Sequence, residues 1–216
     1  MCTKSIAGLI ILFLIVGCSS SRITHSWKSE TVSAKSYEKI MVIGIIKDHD
    51  RNMREKMENH LAEDLKARGY NAVSSLKEYG PKAFDNIDEE GALNKLSNSG
   101  VDAVITIVLL DKERERNYVP ARVYYSPYII YQRHFWGYYS TIYDRIYSPE
   151  YYQQVNTKYF WESNFYDLET KQLLYSVQTE SFDPASAESL GHEYGEMIVK
   201  DMLEKKIINH QSKLKS

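Results

Sequence analysis

Apolar and polar positions follow different periods in different parts of this chain, and each change of period marks an element. Glu38 to Lys47, "EKIMVIGIIK", is an unbroken apolar run bounded by charge, which suits a strand buried on both faces. From Asp50 to Gly69 the period becomes helical: Met53, Met57, Leu61 and Leu65 recur every four residues, charged residues fill the gaps, and Gly69 supplies a stop. Tyr70 to Leu76, "YNAVSSL", is a short strand candidate. Asp88-Glu89-Glu90 opens a second helix with acidic residues where the helix dipole favours them, and Gly100 closes it. Val101 to Asp111, "VDAVITIVLLD", is a third β-branched run. Three strands separated by helices predict parallel pairing with right-handed crossovers.

The style then changes. In "NTKYFWESNFYDLETKQLLYSVQTESF", two strand-like runs flank the polar turn from Asp167 to Lys171. Leu173, Tyr175, Val177 and Thr179 alternate with Leu174, Ser176 and Gln178, which predicts a half-buried antiparallel hairpin. From Ser186 onward, Leu190, Tyr194, Met197, Ile198 and Met202 trace a closing amphipathic helix. The expected fold class is therefore α/β: a mixed sheet of three parallel-type strands and an antiparallel hairpin, covered by about three helices.

Two stretches stand apart from this pattern. Residues 120–152 form a Tyr-rich insertion with no clean period, and twelve of the chain's 18 tyrosines fall between Tyr118 and Tyr159. A structureless loop of that length inside a compact domain is improbable. Four readings remain open: it covers part of the sheet, binds a protein, stacks on glycans, or rests at a lipid interface. The candidate interaction residues are Tyr124, Tyr125, Tyr128, Tyr131, Trp136, Tyr138, Tyr139 and Tyr143. At the other exceptional stretch, Lys4 precedes an uncharged, mostly apolar run of 12 residues, Ile6 to Gly17. As a helix it would extend roughly 18 Å, short of the ~30 Å hydrocarbon core. It reads as a secretory signal.

Ile15-Val16-Gly17-Cys18 resembles the lipobox of bacterial lipoproteins. That resemblance implies removal of residues 1–17 and a diacylglyceryl thioether on Cys18, the first mature residue. Two or more acyl chains hold a protein firmly to a bilayer, whereas one does so only reversibly. The serines that follow Cys18 resemble outer-membrane sorting patterns, with the domain facing the periplasm. Residues 18–36 read as a polar tether and 37–210 as a single α/β domain carrying the insertion.

Composition narrows the chemistry. A net charge of −2 removes the simplest electrostatic argument for a nucleic-acid or an anionic-lipid surface as partner. Cys2 would leave with the signal and Cys18 would be acylated, so no thiol remains for a disulfide, metal or nucleophile. His192-Glu193-x-x-Glu196 approaches the zincin pattern but has glutamate where the second imidazole is needed, and it reads as a solvated helix face. Gly191 and Gly195 beside it suggest close approach of that helix to the sheet. Asp111 to Arg116 alternates in charge and reads as a protected strand edge. There is no G-x-S-x-G elbow, Walker loop or Rossmann fingerprint, and neither a catalytic residue nor a cofactor or metal is expected.

Together with the lipobox, "THSWKSE", "YEKIMVIGIIKD", "SGVDAVITIVLLD" and "NFYDLETKQLLYS" resemble a family of bacterial envelope lipoproteins of uncharacterised role. The resemblance implies a small α/β periplasmic domain, similar to those of the curli secretion lipoprotein and the N-terminal part of the Tol propeller protein, which bind other envelope proteins. The expectation is a non-enzymatic binding or assembly module whose partners are the membrane, through its lipid, and another envelope protein. An envelope hydrolase or a glycan- or peptidoglycan-binding protein is the alternative.

Overall fold

A computed structural model of the protein describes residues 20–30, 35–115, 137 and 156–209. Six strands form one mixed sheet: β1 (Ser21–Lys28), β2 (Ile40–Ile45), β3 (Ala72–Ser74), β4 (Ala103–Glu115), β5 (Asn156–Asp167) and β6 (Gln172–Phe182). Their spatial order is β1-β6-β5-β4-β2-β3. β2 runs parallel to both β3 and β4, and the other pairs are antiparallel. The helices are α1 (Arg51–Ala67), α2 (Ser75–Tyr79), α3 (Glu89–Asn98) and α4 (Ala187–Glu204).

The unbroken apolar run of β2 is explained by its place between two layers. Ile40 and Val42 enter the larger core with α1 and α4, while Met41, Ile43 and Ile45 enter the smaller one with α3. The α1 stripe packs as its period requires, with Met57, Leu61 and Leu65 fully buried and Met53 partly so. Asp88 caps α3 by accepting the Gly91 amide at 2.8 Å, and Gly100 ends that segment at φ 72°, a conformation open to glycine. The α4 stripe of Leu190, Tyr194, Ile198 and Met202 lies on the larger core. Among the described residues, no helix is long and apolar enough to cross a membrane.

Four expectations need correction. Ser21–Lys28, read as tether, forms edge strand β1, which pairs with β6 from Ser21↔Ser181 to Lys28↔Tyr175 and packs Ile23 against the core. The folded unit therefore begins before residue 37. The strand expected over Tyr70–Leu76 is confined to Ala72–Ser74, because Ser74 accepts the Lys77 amide at 3.3 Å and starts α2. The charged run from Asp111 is not a simple edge: Asp111–Glu115 pair with Phe160–Asn156 of β5, while the ladder to β2 stops at Ile45↔Val108. Finally, Gly191 and Gly195 face α1 instead of the sheet, as shown by the neighbours a Cβ would meet there.

The hairpin alternation holds with one break. Tyr175 and Val177 join the larger core, but the register shift between Phe165 and Tyr166 turns Leu173 into the smaller one.

Candidate functional site

Cys18 and the aromatic candidates Tyr124, Tyr125, Tyr128, Tyr131, Trp136, Tyr138, Tyr139 and Tyr143 lie outside the described residues. The ends of the Tyr-rich segment are nevertheless fixed in position: Glu115 closes β4 and pairs with Asn156, which opens β5. β1 begins at the same end of the sheet, since Ser21 pairs with Ser181 and Lys158 of β5 pairs with Phe182. The segment thus leaves and re-enters the fold at the end where the chain from Cys18 joins it.

A cleft of about 310 Å³ opens there, lined by Ser20, Ser21, Arg22, Lys158, Glu180 and Phe182. Glu180 is its electrostatic centre. The Arg22 guanidinium bonds one carboxylate oxygen and Lys158 Nζ lies 2.7 Å from the other, with the Arg22 side chain 76% exposed. Burial pushes the Glu180 carboxyl up, but hydrogen bonds and charge from Lys158 and Arg22 outweigh it and hold the group below its usual value. Two cations on one carboxylate leave donor capacity facing solvent, because a guanidinium carries five N–H groups. Behind the cleft, Glu193 accepts the Ser20 amide at 3.0 Å and its hydroxyl at 2.9 Å, tying the start of β1 to α4.

The remaining zincin-like residues do not converge. His192 lies 3.9 Å from Glu196 and edge-on to His60, while Glu193 turns to Ser20. Among the described residues, no group of three or more His, Cys, Asp or Glu side chains is placed to hold a metal ion.

No family model matches the chain, and no curated protein does either. Solved structures similar to it include the PelC dodecamer from Paraburkholderia phytofirmans, at 10% identity and a TM-score of 0.44 over 87% of this chain and 99% of that one. Another is the lipoprotein GNA1162 from Neisseria meningitidis, at 12% identity and a TM-score of 0.40 over 77% and 98%. The structural neighbours thus include a lipoprotein, at a distance too great for a role to pass from them to this chain.

A second polar cluster lies along the seam between α1 and α4. His60 Nε2 is 2.8 Å from Glu188 Oε1, and Lys56 Nζ is 2.7 Å from the other Glu188 oxygen. One turn further, Asp64 presses its Oδ2, which has no hydrogen-bond partner, toward Gly195. Burial, with Glu196 adding repulsion, pushes its carboxyl up to about 6, against the opposing charges of His192, His60 and Arg68. A carboxyl whose pKa rises on folding favours the native state when protonated, so its contribution is full below the unfolded value and disappears as pH climbs through 6. Asp64→Asn is accordingly expected to raise the melting temperature at pH 7 and to match the parent at pH 4. Equal differences at both pH values would contradict this.

The sequence did not disclose the cleft, because its lining comes from three strands whose pairing is non-local. It also hid Glu58, a fully buried carboxylate on α1 that accepts from Gly44 N (2.8 Å), Leu76 N (2.8 Å), Ser74 Oγ (2.6 Å), Ser75 Oγ (3.1 Å) and Arg54 Nε (2.9 Å). The available clue was spacing: Arg54, Glu58, Leu61 and Leu65 share one helical face, so the ion pair continues the apolar stripe. This network joins α1 to β2, β3 and α2, and all of Glu58's donors are groups of the fold itself. Its role is structural.

Proposed function

We propose that this protein is a lipid-anchored envelope module that binds or assembles other envelope components and performs no catalysis. The observation that carries the reading is the junction at the start of the fold. The lipobox cysteine, Cys18, lies three residues before Ser21, and Ser21 is already paired in the sheet. Three residues extend at most about 11 Å. A lipid on Cys18 therefore holds the sheet end close to the bilayer instead of at the end of a long tether. The same end carries Glu115 and Asn156, the residues that flank the Tyr-rich segment in sequence.

Outer-membrane attachment with the domain in the periplasm follows from the Ser-Ser-Ser exit after Cys18, as in the sorting patterns it resembles. Two measurements test the reading. Intact-mass analysis of the native protein is expected to show a chain starting at acylated Cys18. Cys18→Ala is expected to abolish the acyl mass and shift the protein out of the membrane fraction, whereas an unacylated native chain retaining Met1 would remove the basis of the proposal. Crosslinking in intact cells should then recover a specific envelope protein. Retention on purified cell wall without any crosslinked protein would favour the glycan-binding alternative.

A further inference from the structure

We infer that the sheet end formed by Arg22, Lys158 and Phe182 is a membrane-contacting surface, seated in the phospholipid headgroup layer of the bilayer that holds Cys18. This inference rests on the reading of Cys18 as the lipid-bearing residue.

Reach is the first argument. The Phe182 amide bonds the Ser20 carbonyl at 2.8 Å, so this part of β6 lies directly beside a residue two positions from Cys18. Two residues extend about 7 Å, and adjacent strands are about 4.8 Å apart. The headgroup region on each side of a bilayer is itself roughly 5–8 Å thick. A thioether-linked diacylglycerol places Cys18 at that layer, and these lengths keep the Phe182 backbone within about 12 Å of Cys18.

Exposure is the second argument. Phe182 is 49% exposed, and the other large hydrophobic side chain exposed among the described residues is Trp27 at 37%. They differ in position. Trp27 lies six residues along β1 from Ser21, roughly 20 Å down the strand, whereas Phe182 crowns the end nearest the anchor. An exposed aromatic ring in water is unfavourable, and the interfacial layer accepts such rings.

Charge is the third. The cleft beside Phe182 has two cations and one carboxylate in its lining. Arg22, with its guanidinium largely in solvent, retains N–H donors suited to a phosphodiester. The chain's overall charge of −2 does not oppose this, because screening confines electrostatic attraction at a membrane to about 10 Å. Glu193 lies behind the cleft, engaged with Ser20.

Hydroxyl-radical footprinting of the native lipidated protein in vesicles of phosphatidylethanolamine and phosphatidylglycerol tests the surface. With each residue normalised to its rate in the unfolded chain, Phe182 should be oxidised at least fivefold more slowly than Trp27, independent of protein-to-lipid ratio. Equal rates would overturn the inference. Protection of Phe182 that is lost as protein is diluted into excess lipid would assign the surface to a second copy of this chain and also overturn it. The intact mass of the same sample separates the two levels. Acylated Cys18 with an unprotected Phe182 defeats the docking surface alone, whereas an unacylated chain defeats the functional reading beneath it.

Discussion

Glu58→Ala is expected to destabilise the protein by about 3–5 kcal/mol, a fall in melting temperature of roughly 10 °C in a thermal denaturation scan. The size follows from what the carboxylate leaves behind. Arg54 is 8% exposed and Glu58 is fully buried, so removing the acid strands a guanidinium in the core. Arg54 would retain only its longer bonds, 3.3 Å to the Pro81 carbonyl and 3.4 Å to Ser75 Oγ. The Gly44 and Leu76 amides would lose acceptors as well. A buried donor without a partner costs about 1–3 kcal/mol. Removing the stranded charge in the same chain, as Glu58→Ala with Arg54→Leu, should recover part of the loss. A double variant no more stable than Glu58→Ala alone would show that the hydrogen bonds to the backbone, and not the ion pair, dominate.

The second large effect is expected at the helix seam. Gly191→Ala combined with Gly195→Ala should destabilise by roughly 2 kcal/mol net, although alanine is the better helix former by about 1 kcal/mol per site. A Cβ on Gly191 would sit 3.0 Å from the Lys56 carbonyl oxygen and 2.9 Å from His60 Cδ2. The carbonyl belongs to the α1 backbone and yields only if the two helices separate. At Gly195 the nearest atom, Asp64 Oδ2, is the end of a side chain, but backbone atoms of His60 and Leu61 follow at 3.2 Å. Separating the helices would loosen Leu61, Leu190, Tyr194 and Ile198, all fully buried between them and the sheet. Denaturant titration of both single variants and the double is the check, and a double variant more stable than the parent would show that the seam has slack. Gly191→Ala is expected to account for the larger share.

How much of this was legible beforehand depended on the range of the interactions. β2, α1, α3 and α4 were readable because their burial repeats within a few residues, and the β5–β6 hairpin because its strands are joined by a short turn. β1 was not. "SRITHSWK" is mostly polar, and the apolar contact that marks it as sheet, Ile23 against the core, exists only once β6 lies alongside. The cleft was hidden for the same reason, since Arg22, Lys158 and Glu180 meet only after three strands have paired. Glu58 was hidden because periodicity scores chemistry and not partners: a carboxylate with five donors around it occupies a core position as a methionine would. Gly191 and Gly195 were recognised as packing positions, but which surface they approach depends on the layer arrangement.

β1 also sets a timetable. Ser21 waits for Ser181 and Lys28 for Tyr175, so the strand nearest the amino terminus cannot settle until almost the whole polypeptide has been made. Contacts across so long a stretch of sequence form late, because closing the intervening loop comes first. Until then, the edge of β6 that β1 will cover stays without its partner strand.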